Sequence, residues 1–311
     1  MSNKVRVGVV GVGYLGRFHA LIYSRMPGVE LVGVVDTDMA RAQEVAGEAG
    51  CPVLPHHDDL LERVDGVSIV VPTTLHLEMA RPFLERGIHM LLEKPIAPSH
   101  EEGEAIVRLA DQHGAILQIG HLERFNAGVM ALAQRIDRPR FIEAHRMGGF
   151  LERATDVDVV SDLMIHDIDI ILSLVKSDIV SIAAVGTPVL TRHVDIANAR
   201  LEFANGTVAN VIASRVSDAK MRRIRVFQPN GYMSLDFAGQ TVDVAYPRPR
   251  PDRQWPDIVR ERIELEPVKP LDAELDAFVD TVRTGASPLV GGRVGLEALD
   301  VALQVREKIQ A

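Results

Sequence analysis

The segment Val9-Val10-Gly11-Val12-Gly13-Tyr14-Leu15-Gly16 constrains this chain more than any other. Three glycines, spaced G-x-G-x-x-G, separate a β-branched run at 5–10 from a helix-forming stretch at 14–26. Each glycine answers a steric need. Gly11 permits a tight turn, Gly13 lets another group approach the backbone, and Gly16 lets the new helix lie close to the strand. The helix then starts with free N–H groups and its positive dipole end facing the turn, a cradle for phosphate. A glycine-rich turn without any such duty has the same letters, so the context must decide.

The context is a strand and helix alternation. Short apolar runs at 5–10, 29–35, 67–71, 88–92 and 115–119 are nearly continuous in Val, Ile and Leu, as strands buried on both faces should be. Helices are predicted between them at about 14–26, 38–49, 74–86 and 99–113, the last with Ser99 as N-cap and Glu102 three residues on. This alternation predicts a Rossmann-type, doubly wound parallel sheet. Asp36 ends the second run 20 residues after Gly16. There a carboxylate can accept both hydroxyls of an adenosine ribose and repel a 2′-phosphate, so a dinucleotide is predicted, with NAD favoured over NADP. Asp36-Thr37-Asp38 also reads as a plain turn and helix cap.

After Gly120 the rhythm changes. Helices are predicted at 122–136 and about 160–175, then extended segments at 179–190, 194–204, 207–216, 222–228, 232–237 and 240–245. Asn205-Gly206 and Asn230-Gly231 are hairpin signals. Two helices at about 270–284 and 294–309 close the chain. The prediction is a Rossmann domain over 1–120 and, over 121–311, an α+β domain with a mainly antiparallel open sheet that binds substrate and oligomerises.

Charge and composition remove other classes. The net charge of −9 disfavours a protein that coats nucleic acid. The single cysteine, Cys51, excludes intramolecular disulfides and C-x-x-C zinc sites and fits a reducing, cytoplasmic setting. No apolar stretch is long enough to span a bilayer, and the opening residues make a poor signal peptide because Arg6 interrupts their apolar run.

Two segments offer acid–base chemistry. Glu93-Lys94-Pro95 follows a predicted strand, and the carboxyl ends of such strands line the ligand crevice. Pro95 keeps Lys94 out of helical geometry. Burial and a neighbouring cationic ring would both disfavour the ammonium, which suits proton exchange with a hydroxyl. A surface lysine at a strand end has the same sequence. In Ser161-Asp162-Leu163-Met164-Ile165-His166-Asp167-Ile168-Asp169, a helix puts Asp162, His166 and Asp169 at i, i+4 and i+7 on one polar stripe. Carboxylates stacked with an imidazole make an acid–base arrangement or a surface charge network. One histidine without a second nearby does not suit zinc, and no metal is expected.

Taken together, the glycine loop, Glu93-Lys94-Pro95 about 80 residues later and D-x-x-x-H-x-x-D in the second domain resemble the Gfo/Idh/MocA oxidoreductase family over nearly the whole length. The resemblance implies NAD-dependent oxidation of a secondary hydroxyl on a sugar or cyclitol. It implies Lys94, Asp162 and His166 as the catalytic, substrate-contacting residues. It implies cofactor contacts from Gly11, Gly13, Tyr14, Leu15, Gly16, Asp36, Thr73, His76, Glu93 and Lys94. His76 serves either the nicotinamide or the cap of its own helix, and Arg124 either the substrate or an interdomain ion pair. Family members carry two glycines shortly before the aspartate. Here Gly148-Gly149 stand further upstream, separated from Asp162 by FLERATDVDVVS, which implies a reshaped substrate pocket.

Gly120-His121-Leu122-Glu123-Arg124-Phe125-Asn126 combined with the Asp162–Asp169 segment is similar to family members that oxidise UDP-N-acetylglucosamine. Between 192 and 225 stand Arg192, Arg200, Arg215, Lys220, Arg222, Arg223 and Arg225 against Asp195, Glu202 and Asp218. That local positive excess suits a diphosphate, although arginines alternating along a strand also face solvent or cross-strand acids. The leading expectation is a nucleotide-sugar dehydrogenase. Alternatives are an inositol or free-sugar dehydrogenase and a non-catalytic dinucleotide-binding redox sensor. An uncovered apolar sheet face would make the protein a homodimer or homotetramer.

Overall fold

The computed structural model describes residues 4–150, 157–266 and 268–310. The chain forms two compact units, Met1–Leu122 with Lys269–Leu299, and Glu123–Val268 with Asp300–Ala311.

In the first unit, β1 (Val5–Val10), β2 (Val29–Val35), β3 (Gly66–Ile69), β4 (His89–Glu93) and β5 (Leu117–Gly120) alternate with α1 (Tyr14–Arg25), α2 (Met39–Ala49), α3 (His76–Leu84) and α4 (His100–His113). The sheet order is β2-β1-β3-β4-β5, and every pairing is parallel. The strand order reverses beside β1, so a crevice opens at the carboxyl ends of β1 and β3. The predicted cap is present: Glu102 N–H donates to Ser99 Oγ at 3.3 Å. Residues 269–299 follow the α+β segments in sequence yet belong to this unit, which the expected division at 120 did not provide for. Leu275, Phe278 and Val279 are buried in one core with Val5, Val7, Val9 and Tyr23, and Gln118 Nε2 donates to Glu274 O at 3.1 Å.

The second unit opens with α5 (Ala127–Ala133) and β6 (Phe141–Met147). A π-helical turn, Val160–Met164, then leads into α6 (Ile165–Val175). Next come β7 (Ile179–Thr187), β8 (Ile196–Phe203), β9 (Val208–Ser214), β10 (Met221–Gln228), β11 (Gly231–Asp236), β12 (Thr241–Arg248) and β13 (Asp257–Ile263). The sheet order is β13-β12-β11-β10-β6-β9-β8-β7, antiparallel except for the parallel β6–β9 pair. Helices α7 (Pro270–Thr284) and α8 (Gly292–Gln310) end the chain. The second expected hairpin turns one residue early, because Gly231 already pairs with Gln228 as the start of β11. One face of the sheet buries Ala144, Leu201, Val211 and Ile224; the other carries Phe227, Tyr232, Arg260 and an open hollow of about 930 Å³.

Asp195, fully buried ahead of β8, fastens the preceding loop. One carboxylate oxygen accepts the N–H groups of Val189, Leu190 and Thr191 at 2.7–2.8 Å. Burial opposes the charge, but these bonds outweigh it and pull its pKa from 3.8 down to about 2. Because the folded value lies below the unfolded one, this stabilisation is present above about pH 4 and is lost as pH falls toward 2. Asp195→Asn puts an NH2 donor among three donors or loses the charge-assisted bonds, and is expected to lower the melting temperature by roughly 5–10 °C at pH 7. A change under about 2 °C in a thermal melt would remove this role from Asp195.

Candidate active site

The glycine loop has the geometry its spacing predicts. Gly11 has φ +85°, and a Cβ there would lie 2.3 Å from Val70 O; a Cβ on Gly16 would lie 1.9 Å from Gly11 O. A Cβ on Gly13 would meet nothing within 4 Å, so the space over that residue is open. Gly13 caps α1 with no side-chain hydrogen bond and no acid in the first turn, which leaves the first N–H groups for an anion. Asp36 accepts Val12 N–H at 2.7 Å on one oxygen and Asp38 N–H at 2.9 Å on the other. Each oxygen keeps lone-pair capacity for a ribose hydroxyl. The helix-cap duty belongs instead to Asp38, which accepts Arg41 N–H at 3.1 Å. Tyr14 is exposed, its ring edge-on to Phe18, and Leu15 is half-buried. An open phosphate cradle with an acid at its side fits a dinucleotide.

At the end of β4, Lys94 and its neighbour Pro95 are half-buried, and the peptide between them is cis. Glu93, an expected cofactor contact, is buried: its Oε2 accepts Lys94 N–H at 3.3 Å, and its carboxylate lies against Gly120, where a Cβ would lie 2.8 Å from Oε1. His19 Nε2 lies 3.4 Å from Glu93 Oε1. His19 is fully buried on α1, and sequence reasoning missed it. Its signal was its place three residues after Gly16, on the inward face of the loop's own helix. His76 braces the crevice rather than capping α3. Its ring nitrogens sit 3.1 Å from Ile96 O and 3.1 Å from Val71 O, and burial pushes its pKa below the usual imidazole value. Thr73 is half-buried at the start of a 3-10 turn leading into α3.

In the second unit the expected polar stripe is split. The π turn Val160–Met164 inserts extra backbone between Asp162 and α6, a distortion often found at functional sites. Asp162 and His166 remain half-buried, whereas Asp169 is buried and its Oδ1 accepts from Arg124 Nη1 at 3.2 Å. Arg124 is thus paired with a carboxylate of its own unit. The neighbouring Asp167 takes both ends of the Arg146 fork at 2.9 Å, and Glu123 takes a third N–H at 3.0 Å. Burial opposes the Arg146 charge, but the two carboxylates outweigh it and hold the guanidinium pKa above its usual value. Asp162 lines a cavity of about 330 Å³ together with Gly148, Gly149, Arg215, Lys220 and Arg222. Of the FLERATDVDVVS insertion, residues 151–156 lie outside the described residues.

The basic stretch is also sorted by the sheet. Arg223 and Arg225 pair with Asp236 and Glu143 across neighbouring strands, and Arg200 with Glu202. Among the described residues the set with metal-ligand geometry is His56, His57 and Asp58, in the first unit and apart from these residues.

A parallel sheet with an open glycine cradle and an acid at its second strand defines a dinucleotide-binding oxidoreductase of two units. Within that class the chain belongs to the Gfo/Idh/MocA family: the profile of the oxidoreductase family with NAD-binding Rossmann fold matches residues 5–121, and that of the GFO/IDH/MocA C-terminal domain matches 129–234. A UDP-N-acetylglucosamine 3-dehydrogenase of Acidithiobacillus ferrooxidans is 38% identical over 308 residues, 99% of this chain and 98% of the relative. The solved structure of that enzyme superposes with a TM-score of 0.92 over 98% of both chains. A scyllo-inositol 2-dehydrogenase (NAD(+)) of Bacillus subtilis is 31% identical over 70% of this chain and 69% of its own. No described helix is long and apolar enough to cross a membrane.

Proposed function

We propose that this protein is an NAD-dependent dehydrogenase that oxidises a secondary hydroxyl of a nucleotide sugar, the 3-hydroxyl of UDP-N-acetylglucosamine. The observation that carries the reading is the 38% identity to a dehydrogenase of that substrate, which spans 99% of this chain and so takes in both units. The 31% relative that acts on scyllo-inositol is matched over only 70% of the chain. When bound, the cofactor supplies the hydride acceptor. The chain supplies the rest: the glycine loop and the first N–H groups of α1 bind the pyrophosphate, Asp36 binds the adenosine ribose, and Lys94 and His166 exchange the hydroxyl proton, with Asp162 orienting the sugar or the imidazole. A sensor without chemistry needs the loop and Asp36 but has no use for Lys94, Asp162 and His166. As part of this reading the protein works in the cytoplasm as a homodimer or homotetramer, with the open sheet face covered by a second copy.

The test adds UDP-N-acetylglucosamine, UDP or myo-inositol to the protein with NAD and follows the absorbance of the reduced cofactor. Slow turnover with the nucleotide sugar alone is expected, since ketone formation is unfavourable until a later step removes the product. Turnover with inositol and no binding of a UDP compound would overturn the reading. Asp36→Ala is expected to weaken NAD more than NADP, because only NAD offers a free 2′-hydroxyl to the carboxylate. Equal losses in a titration of both cofactors would take the ribose away from Asp36.

A further inference from the structure

We propose that Lys220 and Arg222 form the subsite that holds the substrate's diphosphate, an inference that rests on the nucleotide-sugar reading above. The cavity of about 330 Å³ in the second unit is lined by four cationic side chains, Arg146, Arg215, Lys220 and Arg222, and by one carboxylate, Asp162. Its size falls at the lower end of small-ligand pockets, roughly 300–1,000 Å³. Such a local excess of positive charge in a chain of net charge −9 suits an anionic ligand.

Two of the four cations are buried and held in place by the fold. Arg146 is 4% exposed and bonded to Asp167 and Glu123. Arg215 is 7% exposed, donates to Val157 O at 2.7 Å and has its Nε 3.8 Å from Asp195 Oδ1. Lys220 and Arg222 differ in placement: Lys220 is exposed at the cavity and Arg222 half-buried, so both are within reach of a ligand. Strand alternation puts Arg222 on the helix-covered face with Ile224 and Val226, while Arg223 and Arg225 point to the open face. In the β6–β10 ladder Arg222 stands directly opposite Arg146, so the buried and the half-buried guanidinium line the same part of the cavity. Arg222 and Lys220 thus stand where both can hold an anion that enters the cavity.

The backbone at the end of β6 leaves room for the ligand. A Cβ on Gly148 would meet nothing within 4 Å, so the backbone there is open to approach. Asp162 lines the same cavity, so a diphosphate held by Lys220 and Arg222 leaves the attached sugar ring in the cavity with a carboxylate assigned to the reaction. Of the seven basic residues between 192 and 225, these two thus determine selection of a nucleotide sugar over a free sugar or cyclitol, which has no diphosphate to offer.

The test measures UDP binding calorimetrically and steady-state kinetics with UDP-N-acetylglucosamine for wild type, Lys220→Gln, Arg222→Lys, Arg222→Gln and the Lys220→Gln/Arg222→Gln double variant. Arg225→Gln, on the open face, is the control. Each neutral substitution is expected to weaken UDP about tenfold, and Arg222→Lys less, since it keeps the charge but loses the guanidinium fork. KM for the nucleotide sugar should rise by a similar factor at nearly constant kcat, with NAD affinity unchanged. Wild-type UDP affinity should fall with added salt, and more steeply than that of the double variant. Lys220 is exposed, so Lys220→Gln reports even if Arg222→Gln melts early. If the wild type oxidises UDP-N-acetylglucosamine and the double variant binds UDP within twofold of it, the subsite assignment alone falls. If the wild type binds no UDP compound and turns over inositol, the nucleotide-sugar reading falls and this inference with it.

Discussion

Alanine at Lys94 or at His166 is expected to lower kcat by about 10²–10⁴, the range for positioned acid–base groups, with NAD affinity within a few-fold of wild type. Lys94 follows the last residue of a buried strand at the carboxyl edge of the parallel sheet, where ligands of open α/β folds bind. Its neighbour Glu93 is buried and bonded to the Lys94 backbone, so the lysine position is fixed while its side chain stays half-buried. His166 is the second residue of α6, just after the π turn that carries Asp162. Neither residue contributes to the glycine loop or to Asp36, which is why cofactor affinity should survive. If the two act in one proton transfer, the double variant loses less than the product of the single losses. Steady-state kinetics with NAD and UDP-N-acetylglucosamine decide it. A single variant with near-native kcat would return that residue to a binding or packing role.

The first unit was largely legible in the sequence because parallel strands buried on both faces read as unbroken Val, Ile and Leu, and because the glycine loop is a local steric code. The strand ends shift by a residue or two, but all five strands and four helices stand where the pattern puts them. The second unit was less legible for identifiable reasons. β6 has a charged residue, Arg146, in its inward phase, so alternation of apolar residues does not mark it. β13 lies at a sheet edge with exposed Ile258, Arg260, Glu261 and Arg262 and has no buried apolar stripe to find. The stripe Asp162, His166 and Asp169 assumed a regular 3.6-residue helix, and the π turn breaks that register. The partners of Asp167 and Asp169, Arg146 and Arg124, stand 21 and 45 residues away in sequence, beyond any local pattern. The same holds for residues 269–299, whose place in the first unit depends on core contacts of Phe278 with residues near the start of the chain.

Arg146→Met is expected to destabilise the protein by about 3–5 kcal/mol at pH 7, because it strands two buried carboxylates rather than removing one favourable contact. Asp167 is 1% and Glu123 9% exposed, and Arg146 supplies three N–H groups to them. Water cannot replace those donors at that depth without opening the β6–α6 contact. The melting temperature should fall by roughly 10 °C or more. The loss should also depend on pH in a direction that a simple packing defect would not share. Arg146 keeps its charge throughout the accessible range, since its folded pKa lies above an already high unfolded value, so the wild-type network does not titrate from the arginine side. In the variant, each stranded carboxylate can take up a proton, which relieves the buried charge as the solution becomes acidic. The gap between wild type and variant should therefore narrow from pH 7 toward pH 5. Arg146→Met with Asp167→Asn should recover part of the loss at pH 7, as neutral isosteres of buried ion pairs often do. Thermal melts of the three proteins at several pH values test this. A variant that melts within a few degrees of wild type at pH 7, or a gap that does not change with pH, would mean that the two carboxylates find other partners and that the network is not what holds α6 against β6.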